Sequence, residues 1–335
     1  MTFQEGVVDY GLPPAELEEI FQQVIVPDYL LRSNPDPQRN PEAVLLGGQP
    51  GAGKSTTAPQ FHREFADCGG LVWVTWDDFR PFHPDYERLL NERPADMPDV
   101  TRPAARWWQD RAAAYLRAGR YHTLLEGGFR EPAAVLATAG RFAEAGYGVR
   151  VCALAVPAVL SRLGIIERFA RQVEVAGTGR WTTAASHDAD YNGTVEVLRL
   201  AEASSVVSRI SLLTRDGLVY DNRRGSDGQW TIRASSVDVL SEARDIPLSR
   251  LQRNALVNRL ASTLERLKRA DVAHRALHDM AAEVEQGLTS LTAYPTAALD
   301  HPHERTTALR AGLGPDRDLD PSPIEPPAPD LDLGI

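Results

Sequence analysis

The stretch Gly48-Gln49-Pro50-Gly51-Ala52-Gly53-Lys54-Ser55-Thr56 carries the spacing G-x-x-x-x-G-K-S. Glycines let the backbone curl so that several N–H groups point at one oxyanion, and a following helix adds its positive end. Lys54 is expected to reach the β- and γ-phosphates of a nucleotide, and the Ser55 hydroxyl to ligate Mg²⁺. Residues 48–56 are therefore the expected nucleotide cradle. The loop alone does not separate a kinase from an ATPase or a GTPase.

Other residues narrow the choice. A GTPase would carry a guanine-reading N-K-x-D, and none occurs. The apolar run "TLLEGG" ends in a single acid, Glu126, a weak signal for a motor strand. A small-molecule kinase needs a carboxylate near the acceptor hydroxyl and arginines that neutralise the phosphoryl group in flight. Asp77 and Asp78 directly follow an apolar run, "LVWVTW", and residues just past strand ends line the ligand crevice of a parallel sheet. Arg168 and Arg171 share a helix face, and Arg180 lies in the Gly-containing loop that follows. His187 and Asp188 resemble a relay, but their place at a helix start suggests a brace for that loop. His62, His83 and His122 show no metal-ligand spacing.

These residues need a scaffold that brings them together. "EAVLLGG", "GLVWVTW", "YHTLLEGG" and "VRVCALAV" read as buried strands. Helical patterns lie between them, including "KSTTAPQFHREFA", with Pro59 as a misfit, and "RPAARWWQDRAAAYLRAG", stopped by Gly119. Of Trp107 and Trp108 on that helix, one is expected in the core and the other at the acceptor groove. A helix opens at Pro157, and another spans "TTAASHDADYNGTVEVLRLAEAS" with a break expected near Asn192-Gly193. Two apolar runs around Arg215-Asp216-Gly217 signal a hairpin. Strands alternating with helices predict an α/β fold, a P-loop kinase-like parallel sheet flanked by helices. The expected organisation is a kinase domain over 1–235, a helical extension over 236–291 and a disordered, acidic, Pro-rich tail over 292–335.

The 335-residue chain has a formal net charge of -10, which argues against a general nucleic-acid binder. Its two cysteines, Cys68 and Cys152, match no zinc spacing and read as buried thiols of a reducing compartment. The first residues lack a basic start followed by an apolar core, so no signal peptide is expected. No apolar run is long enough to cross a bilayer. A cytoplasmic protein without membrane partners is the expectation.

Taken in order, these segments resemble the zeta toxin family, the P-loop kinases of toxin–antitoxin modules. "GGQPGAGKS" matches the Walker loop, "DDFRPFHPDY" the D-x-F-R/K-x-x-H-P segment and "LLEGGFR" the E-G-T-x-R segment. "LGIIERF" with "GRWTTAASHD" matches E-R-Y … R-x-T … H-D, and "DGLVYDNR" the closing hairpin. The resemblance covers roughly residues 13–233. It implies an ATP- and Mg²⁺-dependent kinase of the 3'-hydroxyl of UDP-N-acetylglucosamine. Asp77 would be the base, and Arg168 and Arg180 would stabilise the transferring phosphoryl group. Asp77, Asp78, Arg80, Glu126 and Arg130 would bind the sugar nucleotide. A helical antitoxin is the implied partner, either a separate protein or in part the chain's own C-terminal segment.

Three departures concern the acceptor: Thr75 where the family often has Asp, Gly128 where the motif has Thr, and Thr182-Thr183-Ala184 in place of T-P-K. Adjacent acids also leave Asp78 as an alternative base. The other readings are a kinase of a different small hydroxyl compound (an antibiotic, nucleoside or dinucleotide) and a nucleotide-sensing regulatory module.

Overall fold

The expected strand runs assemble into one six-stranded sheet of order β2-β3-β1-β4-β5-β6. The computed structural model describes residues 11–93, 96–177, 179–233, 235–270 and 275–290; the side chains of Trp76, Asp77, Pro98 and Ser290 lie outside that description. The strands are β1 (Glu42–Gly47), β2 (Val72–Thr75), β3 (Thr123–Glu126), β4 (Gly148–Leu154), β5 (Arg209–Thr214) and β6 (Gly217–Arg223). β1 to β5 pair in parallel, and β6 closes the edge antiparallel to β5 through the Arg215-Asp216 turn. The α/β fold and the hairpin are as the sequence predicts.

Alternate residues of each strand serve opposite faces. Ala43 and Leu45 of β1 belong to one apolar cluster, and Val44 and Leu46 to the other. The first cluster packs α1 (Pro14–Ile20), α4 (Met97–Gly119), α5 (Pro132–Glu144), α7 (Ala184–Ala203) and α8 (Ser236–Arg244) on the sheet. The second packs α2 (Lys54–Phe65) through Ala58, Phe61 and Phe65. α2 runs through Pro59 as one helix. A short helix, α3 (Tyr86–Glu92), precedes α4.

Four local details stand out, the last three at odds with the sequence reading. α1 continues as a π-helical stretch, Phe21–Leu30, which holds Pro27 and presents Tyr29 to the end of β2. Both Trp107 and Trp108 serve packing against the N-terminal helix: Trp107 meets Phe21 edge-on, and buried Trp108 donates to Leu17 O at 2.9 Å. Cys152 is buried but Cys68, in the turn after α2, is exposed. α7 is unbroken at Asn192-Gly193. A Cβ on Gly193 would meet Phe129 O at 2.1 Å, so the glycine serves a close helix–loop approach that outweighs its turn propensity.

α6 (Ala158–Ala176) carries a third apolar cluster with α9 (Arg250–Arg269) and α10 (Arg275–Ser290). Leu163, Ile166 and Phe169 meet Leu256, Leu260, Met280 and Val284 there, each worth about 1.5–3 kcal/mol when buried. A full capping box at Ser249 and Gln252 starts α9. Among the described residues, no helix is long and apolar enough to cross a membrane. The tail expected to be disordered, 292–335, lies outside the described residues.

Candidate active site

The cradle forms where β1 ends and α2 begins. Gly53 takes φ 103° as the residue before α2, a left-handed turn that suits glycine. Gly51 has φ 76°, and a Cβ there would meet Ser161 O at 1.9 Å. Gly164 faces it, since its own Cβ would meet Gly51 O at 2.4 Å. This mutual approach lays α6, with its arginines, directly against the loop. Gln49 is fully buried: its Nε2 donates to Val156 O (2.8 Å) and Ser161 Oγ (3.2 Å), fixing the loop from behind. Lys54 Nζ folds back to donate to Gly48 O at 2.8 Å and Gln49 O at 3.3 Å.

A cleft of about 870 Å³ opens over the loop, at the carboxyl ends of β1, β2, β3 and β5. Among the described residues its walls carry Lys54, Arg63, Arg130, Arg168, Arg171, Arg180, Arg215 and Arg259, against Glu126, Glu167 and Asp190. On a chain of net charge -10, eight cations facing three carboxylates make a concentrated anion site. Two of those carboxylates are already paired. Asp190 accepts both Arg130 Nε (3.2 Å) and Nη2 (2.9 Å), and Glu167 accepts Arg259 Nε (2.9 Å) and Nη2 (2.8 Å).

Glu126 is the third. Ser55 Oγ donates to its Oε1 at 3.4 Å, and Trp73 Nε1 to its Oε2 at 3.1 Å. Burial raises the Glu126 carboxyl above its ordinary value, opposed by the Lys54 ammonium and these two hydrogen bonds. The convergence of a hydroxyl and a carboxylate at the cradle suits a hard cation such as Mg²⁺, which takes oxygen ligands and keeps waters and phosphates.

The sequence-predicted residues separate into groups. Pro50 to Thr56, Glu126, Arg130, Arg168 and Arg180 all line the cleft. Arg168 Nη2 donates to Thr182 Oγ1 at 2.6 Å, and the Arg180 N–H donates to Gln172 Oε1, fixing the loop between α6 and α7. Arg80 and Asp78 do not line it. Arg80 donates to Thr101 Oγ1 on α4, and Asp78 accepts from Tyr29 Oη at 2.8 Å. The same Tyr29 oxygen accepts from the Thr75 N–H at 3.0 Å, fixing the end of β2 where Asp77 follows. The Asp77 side chain itself lies outside the described residues.

Sequence reasoning missed Asp190, Arg215 and Arg259. Asp190 had a signal, since it lies one turn beyond His187 on α7. Arg215 lies in the turn flagged only as a hairpin, and Arg259 lies in a charged helix without a motif. Gly128 is explained by Asp190: a Cβ at 128 would meet Asp190 Oδ1 at 2.3 Å.

Ser161, His187 and Asp188 form a chain, with Ser161 Oγ 2.8 Å from His187 Nε2 and His187 Nδ1 2.7 Å from Asp188 Oδ1. It has the residue types of a hydrolase triad but not the exposure. Ser161 and His187 are fully buried, and the Ser161 hydroxyl is already engaged by Gln49 and the Pro157 carbonyl. Burial lowers the imidazole's proton affinity, partly offset by Asp188. Arg162 extends the chain, joining Asp188 at 2.8 Å and Glu283 of α10 at 3.2 Å. This is a brace that ties the loop to α6, α7 and α10.

The zeta toxin family profile matches residues 28–225, more than half of the chain. The toxin PezT of Streptococcus pneumoniae is 31% identical over 206 residues, covering 61% of this chain and 78% of that protein. The toxin zeta of Streptococcus agalactiae is 28% identical over 180 residues, 53% of this chain and 62% of that one. The solved structure of the PezAT toxin–antitoxin system of Streptococcus pneumoniae matches with TM-score 0.65 and 26% identity, over 77% of this chain and 100% of that one. The AvrRxo1-ORF1:-ORF2 complex shares the fold, with TM-score 0.52 and 14% identity. The cationic cleft over a phosphate loop thus belongs to a member of the zeta toxin family, kinase-like proteins of toxin–antitoxin systems.

Proposed function

We propose that this chain is an ATP- and Mg²⁺-dependent phosphotransferase acting on the 3'-hydroxyl of UDP-N-acetylglucosamine or a related sugar nucleotide, and that it acts as a toxin. The observation that carries the reading is the wall of the cleft, with eight cations gathered over one phosphate loop. One triphosphate does not need so many; a second phosphorylated ligand does.

Lys54 would exchange its loop carbonyls for the β- and γ-phosphates. Ser55 and Glu126 would hold Mg²⁺, which supplies charge neutralisation between the phosphates. As the acceptor oxygen bonds to the γ-phosphorus and the bond to ADP breaks, Asp77 would take the hydroxyl proton. Arg168 and Arg180 would face the charge on the equatorial oxygens. Arg130, oriented by buried Asp190, would hold the acceptor's diphosphate. By analogy with the PezAT toxin–antitoxin system, the protein partner would be an antitoxin.

Gly128 favours a second acceptor reading. The acceptor side holds the Asp190 carboxylate close to Gly128, in place of a threonine hydroxyl. A pocket whose hydrogen bonds change in this way changes its preferred hydroxyl compound. ADP release measured over a panel of sugar nucleotides, nucleosides and aminoglycosides tests both. Release stimulated by UDP-N-acetylglucosamine supports the first reading. Stimulation by another compound alone moves the function there, and stimulation by none overturns both.

A further inference from the structure

On the reading of the loop as a nucleotide cradle, we propose that Arg244 of α8 is a positioning residue for phosphate binding: it sets the Gln49 side chain from behind the loop and so holds the loop in its curled form. Both Nε2 hydrogen bonds of Gln49 are spent on Val156 O and Ser161 Oγ. Its Oε1 is buried as well, and a buried oxygen needs a donor. Among the described residues that donor is Arg244 Nη2, at 3.5 Å. The main chain of Gln49 belongs to the cradle itself. Its carbonyl accepts from Lys54 Nζ at 3.3 Å and from the Ala52 N–H at 3.3 Å. A shift of the Gln49 side chain is therefore a shift of the lysine's anchor and of the curl that aims the backbone N–H groups.

Arg244 is held in turn. Its Nη1 donates to Tyr191 O at 3.0 Å, and its guanidinium carbon lies 3.6 Å from the centre of the Tyr191 ring. Tyr191 stacks on His187, with 5.8 Å between ring centres and 17° between planes. His187 Nε2 meets Ser161 Oγ at 2.8 Å, and Ser161 Oγ meets Gln49 Nε2. The contacts close into a circuit that runs from Arg244 through Tyr191, His187, Ser161 and Gln49 back to Arg244. Helices α6, α7 and α8 and the loop each supply a member.

This placement works against stability. Arg244 is buried, its Nε has no hydrogen-bond partner, and among the described residues no carboxylate pairs with it. Burial pulls its pKa down to about 10, which leaves it charged at neutral pH. A buried cation answered by two amide oxygens and a ring is a poor fastener for a helix. An apolar chain of similar length would fasten α8 as well or better. What that chain would lack is the donor to Gln49. The segment after residue 235 thus reaches the phosphate loop through one side chain, and the cost of burying it is explained by the loop.

The test measures binding of inorganic tripolyphosphate and of ATP, each with Mg²⁺, to the full chain as wild type, Arg244→Met, Gln49→Met and the double variant, together with each ligand-free melting temperature. Arg244→Met is expected to weaken both ligands about tenfold, with a melting temperature no lower than wild type. In the Gln49→Met background the same substitution should cost less than about twofold, because its route to the loop is already gone. Wild-type affinity in Arg244→Met overturns the proposal, and a melting temperature that falls while affinity holds marks a merely structural arginine. A loss that repeats in full in the Gln49→Met background also overturns it. If Arg244→Met does not fold, Arg244→Gln carries the same expectation and the same reversal, since it can still meet Tyr191 O but is too short to reach Gln49. Failure of the cradle reading looks different: wild-type protein would then bind no tripolyphosphate, or Lys54→Ala would bind it as well as wild type.

Discussion

The two flanks of the cleft rest on the same loop and are built by opposite means. On the β3 side, Asp190 of α7 and Arg130 of the β3–α5 loop form a charged pair, and the bare backbones of Gly128 and Gly193 let the elements close. On the β5 side, Arg215 and Arg259 border an apolar slot walled by helices from the end of the chain. On our proposal the first flank would choose ligands by hydrogen bonds, which discriminate sharply because an unpaired buried group is costly. The second offers apolar area, which discriminates weakly between ligands. On our proposal, acceptor identity is decided on the β3 side.

The largest expected effect falls between the flanks. Arg180→Ala and Arg168→Ala should each lower turnover by about 10³-fold or more, with ATP affinity little changed. Steady-state kinetics with separately measured ATP binding would show this, and equal losses in both would make these arginines binders rather than catalysts. Gly193→Ala comes next. Its methyl would press on Phe129 O, costing about 1–3 kcal/mol, read as a drop in thermal midpoint. An unchanged midpoint would mean that α7 and the Arg130 loop are not tightly joined.

Asp190→Asn should act only on the β3 side, raising KM for the acceptor by about tenfold while KM for ATP stays constant. A change in both would erase the distinction between the flanks.

The smallest effect is a pH dependence. Glu126 has a raised carboxyl pKa when folded, so its ionisation is disfavoured in the unliganded protein. Its contribution therefore favours folding at acid pH and fades as pH rises from the unfolded carboxylate value through the folded one. Glu126→Gln should flatten that slope in denaturation measured against pH. Mg²⁺, which needs the ionised form, should bind the wild type more tightly as pH rises.

Much of this was legible from local sequence. The cradle could be read because its chemistry lies in nine adjacent residues, and Arg168 and Arg180 because they follow in a fixed order. The continuous burial of β1 on both faces matches its unbroken apolar run. What failed to show depended on distant packing. Asn192-Gly193 looked like a break because turn propensity is local, whereas the Phe129 carbonyl it accommodates is far away in sequence. Arg259 reaches the cleft only because α9 lies on α6, where Glu167, separated from it by 92 positions, receives it. Reading the segment after residue 235 as part of an antitoxin did not include the core that it shares with α6. A chain cut there should lose thermal stability before it could gain activity.

The most direct measurement is mass spectrometry of UDP-N-acetylglucosamine incubated with ATP and Mg²⁺ and wild-type protein, Asp77→Ala or Asp78→Ala. Wild type and Asp78→Ala should yield a product heavier by one phosphoryl group, and Asp77→Ala none. Wild-type protein that binds ATP yet leaves every sugar nucleotide unmodified would contradict it.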